Sequence, residues 1–278
     1  MANGRTKLIA IGGGEVAGSP EILDEIVADV LKRDDGRMVV MTVATNEPQS
    51  AGDKYNRLFR SRGIKHVLTI DVSTREDAFD EASLQKIKDA DALFFTGGDQ
   101  LNITSLMGGS PLHDLLTERA KKGLTIAGTS AGAAMMSNSM IISGKSDHTP
   151  QVGAVEIAPG MNLIPETLID THFSQRGRHG RLLTAMAHYP QDIGLGVDER
   201  TALVARDHEF RVIGEGAVTV MDGANMKHND LPYHGRDEPV GMFSVCIHVL
   251  PRGYRFDLKT RTPQAPQMHK LAGVDSDV

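Results

Sequence analysis

The sequence predicts an α/β fold: a mainly parallel sheet with helices on both faces, closed by antiparallel hairpins toward the carboxyl terminus. Three observations carry this. Short, continuously apolar runs recur through the first 130 residues. Segments of helical periodicity lie between them, and runs so arranged form parallel strands buried on both faces. After residue 200 the apolar pattern alternates with turn signals instead, as hairpins require.

The elements follow in order. KLIAIGG (7–13) is an apolar run ending in glycine. SPEILDEIVADVLKR (19–33) spaces Ile22, Ile26, Val27, Val30 and Leu31 at helical intervals, and its Ser-Pro-Glu start suggests an N-cap at Ser19. RMVVMTVAT (37–45) is a second strand, followed by helix near 51–62, strand HVLTIDV (66–72) and helix near 82–89. DALFFTGG (91–98) and GLTIAGT (123–129) again stop at glycine. TLIDTHF (167–173) and DIGLGVDE (192–199) read as strands ending in polar residues. Residues 200–223 read as antiparallel hairpins, 224–241 as a loop, and FSVCIHVL (243–250) and YRFDL (254–258) as closing strands. One domain over 1–278 is expected, with two as the alternative and no order expected in the tail from about 263 to 278.

Composition narrows the function. A hydrophobic share of 40% against 24% charged residues favours a packed core. The formal net charge of −6 argues against a nucleic-acid binder, which needs clustered Lys and Arg. No apolar run nears the ~20 residues that span a bilayer, so no membrane partner is expected. The one cysteine, Cys246, can form no intrachain disulfide and is expected as a small core residue. With no hydrophobic segment at the start, a cytoplasmic protein is expected.

Chemistry concentrates at LTIAGTSAGAAMMS (124–137). Gly128-Thr129-Ser130-Ala131-Gly132 fits G-x-S-x-G, in which a strand-to-helix turn thrusts a serine out at the sheet edge. Free N–H groups at the helix start would face developing negative charge. The competing reading is a serine N-cap on a buried helix. A serine nucleophile needs a base and an orienting acid. His172 and Glu199 end two successive strands and should meet Ser130 at one sheet edge. Asp198 rivals Glu199, but neighbours on a strand point to opposite faces, so only one can serve.

FFTGGDQ (94–100), AGTSAGA (127–133), IDTHFSQRGRHGRLL (169–183) and GLGVDERTALV (194–204), in this order, resemble the cyanophycinase family. Those enzymes are serine exopeptidases related to the α-aspartyl dipeptidases, with a flavodoxin-like, class I glutamine-amidotransferase-like fold. Their substrate, cyanophycin, has a poly-aspartate main chain with arginine on each side-chain carboxylate, and is released as β-Asp-Arg. The resemblance implies Ser130 as nucleophile, His172 as base and Glu199 as orienting acid. No cofactor is expected, and no metal either, since His172 and His179 are seven apart with no acid or thiol at ligand spacing. The resemblance also implies oxyanion-hole N–H groups from the Gly97-Gly98 turn and Ala131, and a homodimer. It further implies a substrate pocket formed by Gln100, Asp170, Thr171, Arg176, Arg178 and Arg181. On this reading Asp170 would pair with the substrate guanidinium and the arginines with its carboxylates; without it, SQRGRHGR is a solvated helix start.

The chain departs from the family pattern at Thr171, where that pattern has glutamine before the histidine, and at His179 and Arg200. The alternatives are a dipeptidase for N-terminal aspartyl peptides and a non-catalytic binding protein on the same fold. The glycines of IGGGEVAG (11–18) resemble a dinucleotide fingerprint only in part, since Ala17 fills the third position. They read instead as a backbone wall beside the site.

Overall fold

The computed structural model describes residues 6–14, 19–144, 146 and 149–267. The first half alternates as predicted: β1 (Lys7–Ile11), α1 (Pro20–Val27), β2 (Arg37–Met41), α2 (Pro48–Ser61), β3 (His66–Ile70), α3 (Glu81–Asp89), β4 (Ala92–Phe95), α4 (Gln100–Met107), α5 (Pro111–Lys121), β5 (Thr125–Thr129) and the short α6 (Ala131–Ala134). The second half holds β6 (Ser139–Gly144), β7 (Val155–Pro159), β8 (Thr167–Thr171), α7 (His179–His188), β9 (Ile193–Val197), β10 (Thr201–Arg206), β11 (Glu209–Gly214) and β12 (Ala217–Asp222). The closing strands are β13 (His228–Asn229), β14 (Met242–Phe243), β15 (Cys246–Pro251), β16 (Arg255–Asp257) and β17 (Thr262–Gln264).

A nine-stranded sheet runs β17-β16-β11-β10-β1-β5-β4-β2-β3. Its five strands from β1 to β3 are parallel, and β10, β11, β16 and β17 extend it antiparallel. Successive residues serve opposite faces. Leu8, Ala10, Val39, Met41, Leu93 and Phe95 enter one core, while Ile9, Ile11, Met38, Val40, Ala92 and Phe94 enter the other. Burial on both faces is why these strands read as unbroken apolar runs.

Four details differ from the sequence expectation. First, β15, β12, β9 and β8 form a separate four-stranded sheet, so β12 is not part of a hairpin with β11. α7 packs on this sheet through Leu182, Ala185 and Met186, against Leu168, Phe173 and Met221. Second, α1 stops at Val27, Leu31 is exposed, and the Ser19 side chain makes no capping bond. Third, the expected disordered tail begins with an ordered edge strand, because Thr262–Gln264 pairs with β16; residues 268–278 lie outside the described part. Fourth, Cys246 is exposed on edge strand β15, with Sγ 3.3 Å from His248 Nε2, rather than in the core.

Candidate active site

The site is built around the end of β1. Three successive carbonyls there, of Ile11, Gly12 and Gly13, accept the N–H groups of Ser130 (3.0 Å), His172 (2.6 Å) and Arg200 (3.0 Å). These donors come from three different crossings: the exit of β5, the exit of β8, and the link from β9 to β10. Each has positive φ, 52° at Ser130, 50° at His172 and 53° at Arg200. Side-chain-bearing residues avoid that conformation, at a cost of order 1–3 kcal/mol each, and it persists only where surroundings impose it.

The elbow shows why the pattern needs its glycines. A Cβ on Gly128 would fall 2.1 Å from the Gly132 carbonyl oxygen, and one on Gly132 would fall 2.5 Å from that of Phe95. α6 can therefore start against the tips of β4 and β5 only without side chains at these points. The Ser130 side chain makes no capping bond to α6, which removes the N-cap reading.

Ser130 Oγ lies 2.9 Å from His172 Nε2, and His172 Nδ1 lies 2.7 Å from Glu199 Oε1. The three side chains thus form one hydrogen-bonded chain. They do not share one sheet edge, as the sequence suggested: Ser130 leaves the nine-stranded sheet, His172 leaves the four-stranded one, and Glu199 lies on the link between them. Asp198 points elsewhere. It is buried and accepts the N–H groups of Ser174 (3.0 Å) and Ala217 (3.1 Å).

Electrostatics keep the imidazole basic in form. Burial pushes the His172 pKa below its ordinary value; the Glu199 hydrogen bond opposes this, and Arg176 and Arg178 lower it further. A neutral imidazole with Nδ1–H donated to Glu199 presents the Nε2 lone pair to the hydroxyl.

Gly97 and Gly98 lie across from the serine. A Cβ on Gly97 would sit 3.4 Å from Ser130 Cβ, whereas one on Gly98, at φ 144°, would strike the Ala44 carbonyl oxygen at 2.0 Å. Among the described residues, neither the Gly98 nor the Ala131 N–H has a hydrogen-bond acceptor.

The expected substrate residues divide. Asp170 is buried, and its carboxylate is taken by its own chain: Arg181 Nε donates to Oδ2 at 2.6 Å, Arg181 Nη2 donates to Oδ1, and Arg178 Nη1 reaches Oδ1 at 3.2 Å. This corrects the pairing of Asp170 with a substrate guanidinium, because both carboxylate oxygens are already held. Arg181 is buried by the same pairing, and Thr171 is buried with its carbonyl on Arg178 Nη1 at 2.6 Å. Gln100 Nε2 donates to the Ile141 carbonyl at 2.5 Å. Arg178 keeps Nε without a partner among the described residues, and burial pushes its pKa down to about 10. Arg176 is exposed and forms no ion pair among the described residues.

Sequence reasoning missed Gln175, whose side-chain carbonyl accepts the Glu199 N–H at 3.0 Å. Its place in the stretch after His172 was visible, but its partner lies across a sheet. A cavity of about 910 Å³ lined by Leu8, Ile193 and Ala205 lies at the other ends of these strands and shares no residue with the Ser130 site. Among the described residues, no group of three or more His, Cys, Asp or Glu side chains could hold a metal ion.

The fold and the family match together make the chain a serine-type peptidase. It belongs to peptidase family S51, whose family model matches residues 8–213. A cyanophycinase of Trichormus variabilis is 35% identical over 275 residues, covering 96% of this chain and 90% of the relative. Another, from Geminocystis herdmanii, is 35% identical over 271 residues, covering 94% and 97%. In fold, a peptidase from an acI-B1 Actinobacterium superposes with a TM-score of 0.66 at 22% identity, covering 92% of this chain and 98% of the other. A putative peptidase E from Listeria monocytogenes gives a TM-score of 0.55 at 17% identity, covering 76% and 100%.

Proposed function

We propose that the protein is a serine exopeptidase that hydrolyses cyanophycin to β-Asp-Arg through an acyl-enzyme on Ser130. The observation that carries the reading is the continuous Ser130–His172–Glu199 chain, at 2.9 and 2.7 Å, in a chain whose relatives are named cyanophycinases.

His172 Nε2 takes the Ser130 Oγ proton as that oxygen attacks a main-chain carbonyl of the polymer. The Gly98 and Ala131 N–H groups receive the oxyanion. Collapse of the tetrahedral adduct breaks the C–N bond, and the imidazolium gives its proton to the departing amine. His172 then deprotonates a water that attacks the Ser130 ester; the acyl–Oγ bond breaks and the imidazolium returns the proton to Ser130 Oγ. Glu199 holds the imidazole in the tautomer this needs and balances its positive charge.

Substrate binding is assigned on charge. Arg176, exposed and unpaired among the described residues, is the carboxylate clamp, and Arg178, whose Nη1 already holds Asp170 and the Thr171 carbonyl, adds its positive charge behind it. Asp170 and Arg181 act behind them as a buried brace. The substrate guanidinium must therefore find a carboxylate or carbonyl other than Asp170.

A cytoplasmic location and a homodimer belong to the same reading. The first is supported by a single cysteine in 278 residues. The second is supported by exposed Ile247 and Val249 on edge strand β15.

Incubation with cyanophycin and mass analysis for β-Asp-Arg tests the proposal. The wild type should release the dipeptide and Ser130→Ala should release none. Turnover of short Asp-X peptides without attack on the polymer would favour the dipeptidase reading, and wild type inert toward both would reject hydrolysis.

A further inference from the structure

We propose that Gln175 is a positioning residue that holds Glu199 against His172 by its backbone. The inference rests on the reading of Ser130, His172 and Glu199 as a triad.

Glu199 lies in the link Asp198–Arg200 between β9 and β10, where the chain leaves one sheet for the other. A residue between sheets has no ladder partner to fix it. The flanking N–H groups still find main-chain acceptors: Asp198 donates to the Ala217 carbonyl at 3.2 Å and Arg200 to that of Gly13 at 3.0 Å. The Glu199 N–H instead donates to a side chain, Gln175 Oε1, at 3.0 Å. The acid's own N–H is thus held by one exposed glutamine, while its carbonyl accepts the Thr201 hydroxyl at 3.1 Å.

That glutamine belongs to the segment of the base. It sits in the 3₁₀ turn Ser174–Arg176, which is anchored by the Arg176 N–H on the His172 carbonyl at 3.1 Å. A second bond crosses in the opposite sense, from the Ser174 N–H to Asp198 Oδ1 at 3.0 Å. Gln175 and Asp198 therefore lock the two segments reciprocally, each offering a side-chain acceptor to the other's backbone. The lock fixes the Glu199 Cα relative to the imidazole, and so supports the 2.7 Å bond to Nδ1.

The residue type is constrained by reach. Asparagine is one methylene too short. Glutamate has the same reach and keeps an acceptor for the Glu199 N–H. With Oε1 committed to Glu199, the Gln175 amide orientation is set by that bond.

The full-length protein carrying Gln175→Ala, Gln175→Asn or Gln175→Glu tests this. Three quantities are measured: the melting temperature, the rate of Ser130 modification by a fluorophosphonate at saturation, and the low-field proton resonance of His172 Nδ1–H. Gln175→Ala and Gln175→Asn should melt with the wild type, because the residue is exposed. Both should be modified about tenfold more slowly or worse, since small misplacements of an orienting group cost that much, and the concentration giving half-maximal rate should not change. Their low-field resonance should weaken or shift. Gln175→Glu, which keeps the acceptor, should restore the rate.

Wild-type modification rates in Gln175→Ala, or a Gln175→Glu variant as slow as Gln175→Ala, would overturn the proposal. Failure of the triad reading looks different, as wild type that the reagent does not modify. The resonance then decides alone, and its indifference to Gln175→Ala rejects the positioning role.

Discussion

Gly13 and His172 occupy each other's space: a Cβ on Gly13 would lie 2.1 Å from His172 Cε1 and 2.5 Å from Nε2. The Gly12 carbonyl meanwhile holds the His172 N–H at 2.6 Å. The end of β1 is thus both the floor under the imidazole and its anchor. Gly13→Ala would push the ring from the serine, and its φ of 98° adds strain for any side chain. Peptidase activity should fall about 100-fold or more. Near-wild-type turnover by this variant would show that the ring has another way to reach Ser130.

The two adjacent acids separate by function. Glu199→Gln keeps size but removes the charge that fixes the imidazole tautomer, and kcat should fall by roughly 10³–10⁴ with the melting temperature retained. Asp198→Asn turns an amide N–H toward one of two backbone donors, of Ser174 and Ala217, so it should lose stability, by about 1–3 kcal/mol. Thermal denaturation beside kinetics on both variants checks this. Reversal of the two phenotypes would assign the acid role to Asp198.

The acid limb of kcat/KM should lie below the ordinary imidazole value of 6.5, because burial, Arg176 and Arg178 all disfavour the imidazolium. The active form is the neutral ring, so activity should rise with pH through this depressed pKa and stay high above it. Arg176→Gln removes a positive charge, which makes protonation easier and should move the limb to higher pH. The same variant should raise KM for the polymer if Arg176 binds its carboxylates. A pH–rate profile with an unmoved limb would remove Arg176 from the electrostatics of the base.

The Asp170–Arg181 pair is buried on both sides. Arg181→Ala leaves a carboxylate without its two-pronged partner in a closed site and should cost about 3–5 kcal/mol of stability. Pairing that change with Asp170→Asn should recover part of the loss, since the stranded charge is gone. Denaturant unfolding of the single and double variants gives the comparison. Equal stability of Arg181→Ala and wild type would mean that Asp170 finds another partner or takes up a proton.

Much of the molecule was legible in the chain itself. The five parallel strands could be read because each is buried on both faces, which leaves an unbroken apolar run such as ALFF at Ala92–Phe95. The elbow was legible because close packing at Gly128 and Gly132 tolerates no Cβ, and so marks the sequence at fixed offsets around Ser130. What the residues could not reveal is pairing over distance. Asp170 looked like a free carboxylate for a cationic ligand until Arg178 and Arg181, 8 and 11 residues away, closed on it. Cys246 looked apolar and internal, but it falls on an edge strand that no neighbour covers among the described residues.

The division follows from the range of the forces. Local sterics and periodic burial act within a few residues, so the order of strands and helices, the turn at Ser130 and the candidate triad were written in the sequence. Which sheet each strand joins depends on hydrogen bonds between segments far apart in the chain. Only the folded molecule could therefore show that Ser130 and His172 leave different sheets, and that three consecutive carbonyls of Ile11, Gly12 and Gly13 bring them together.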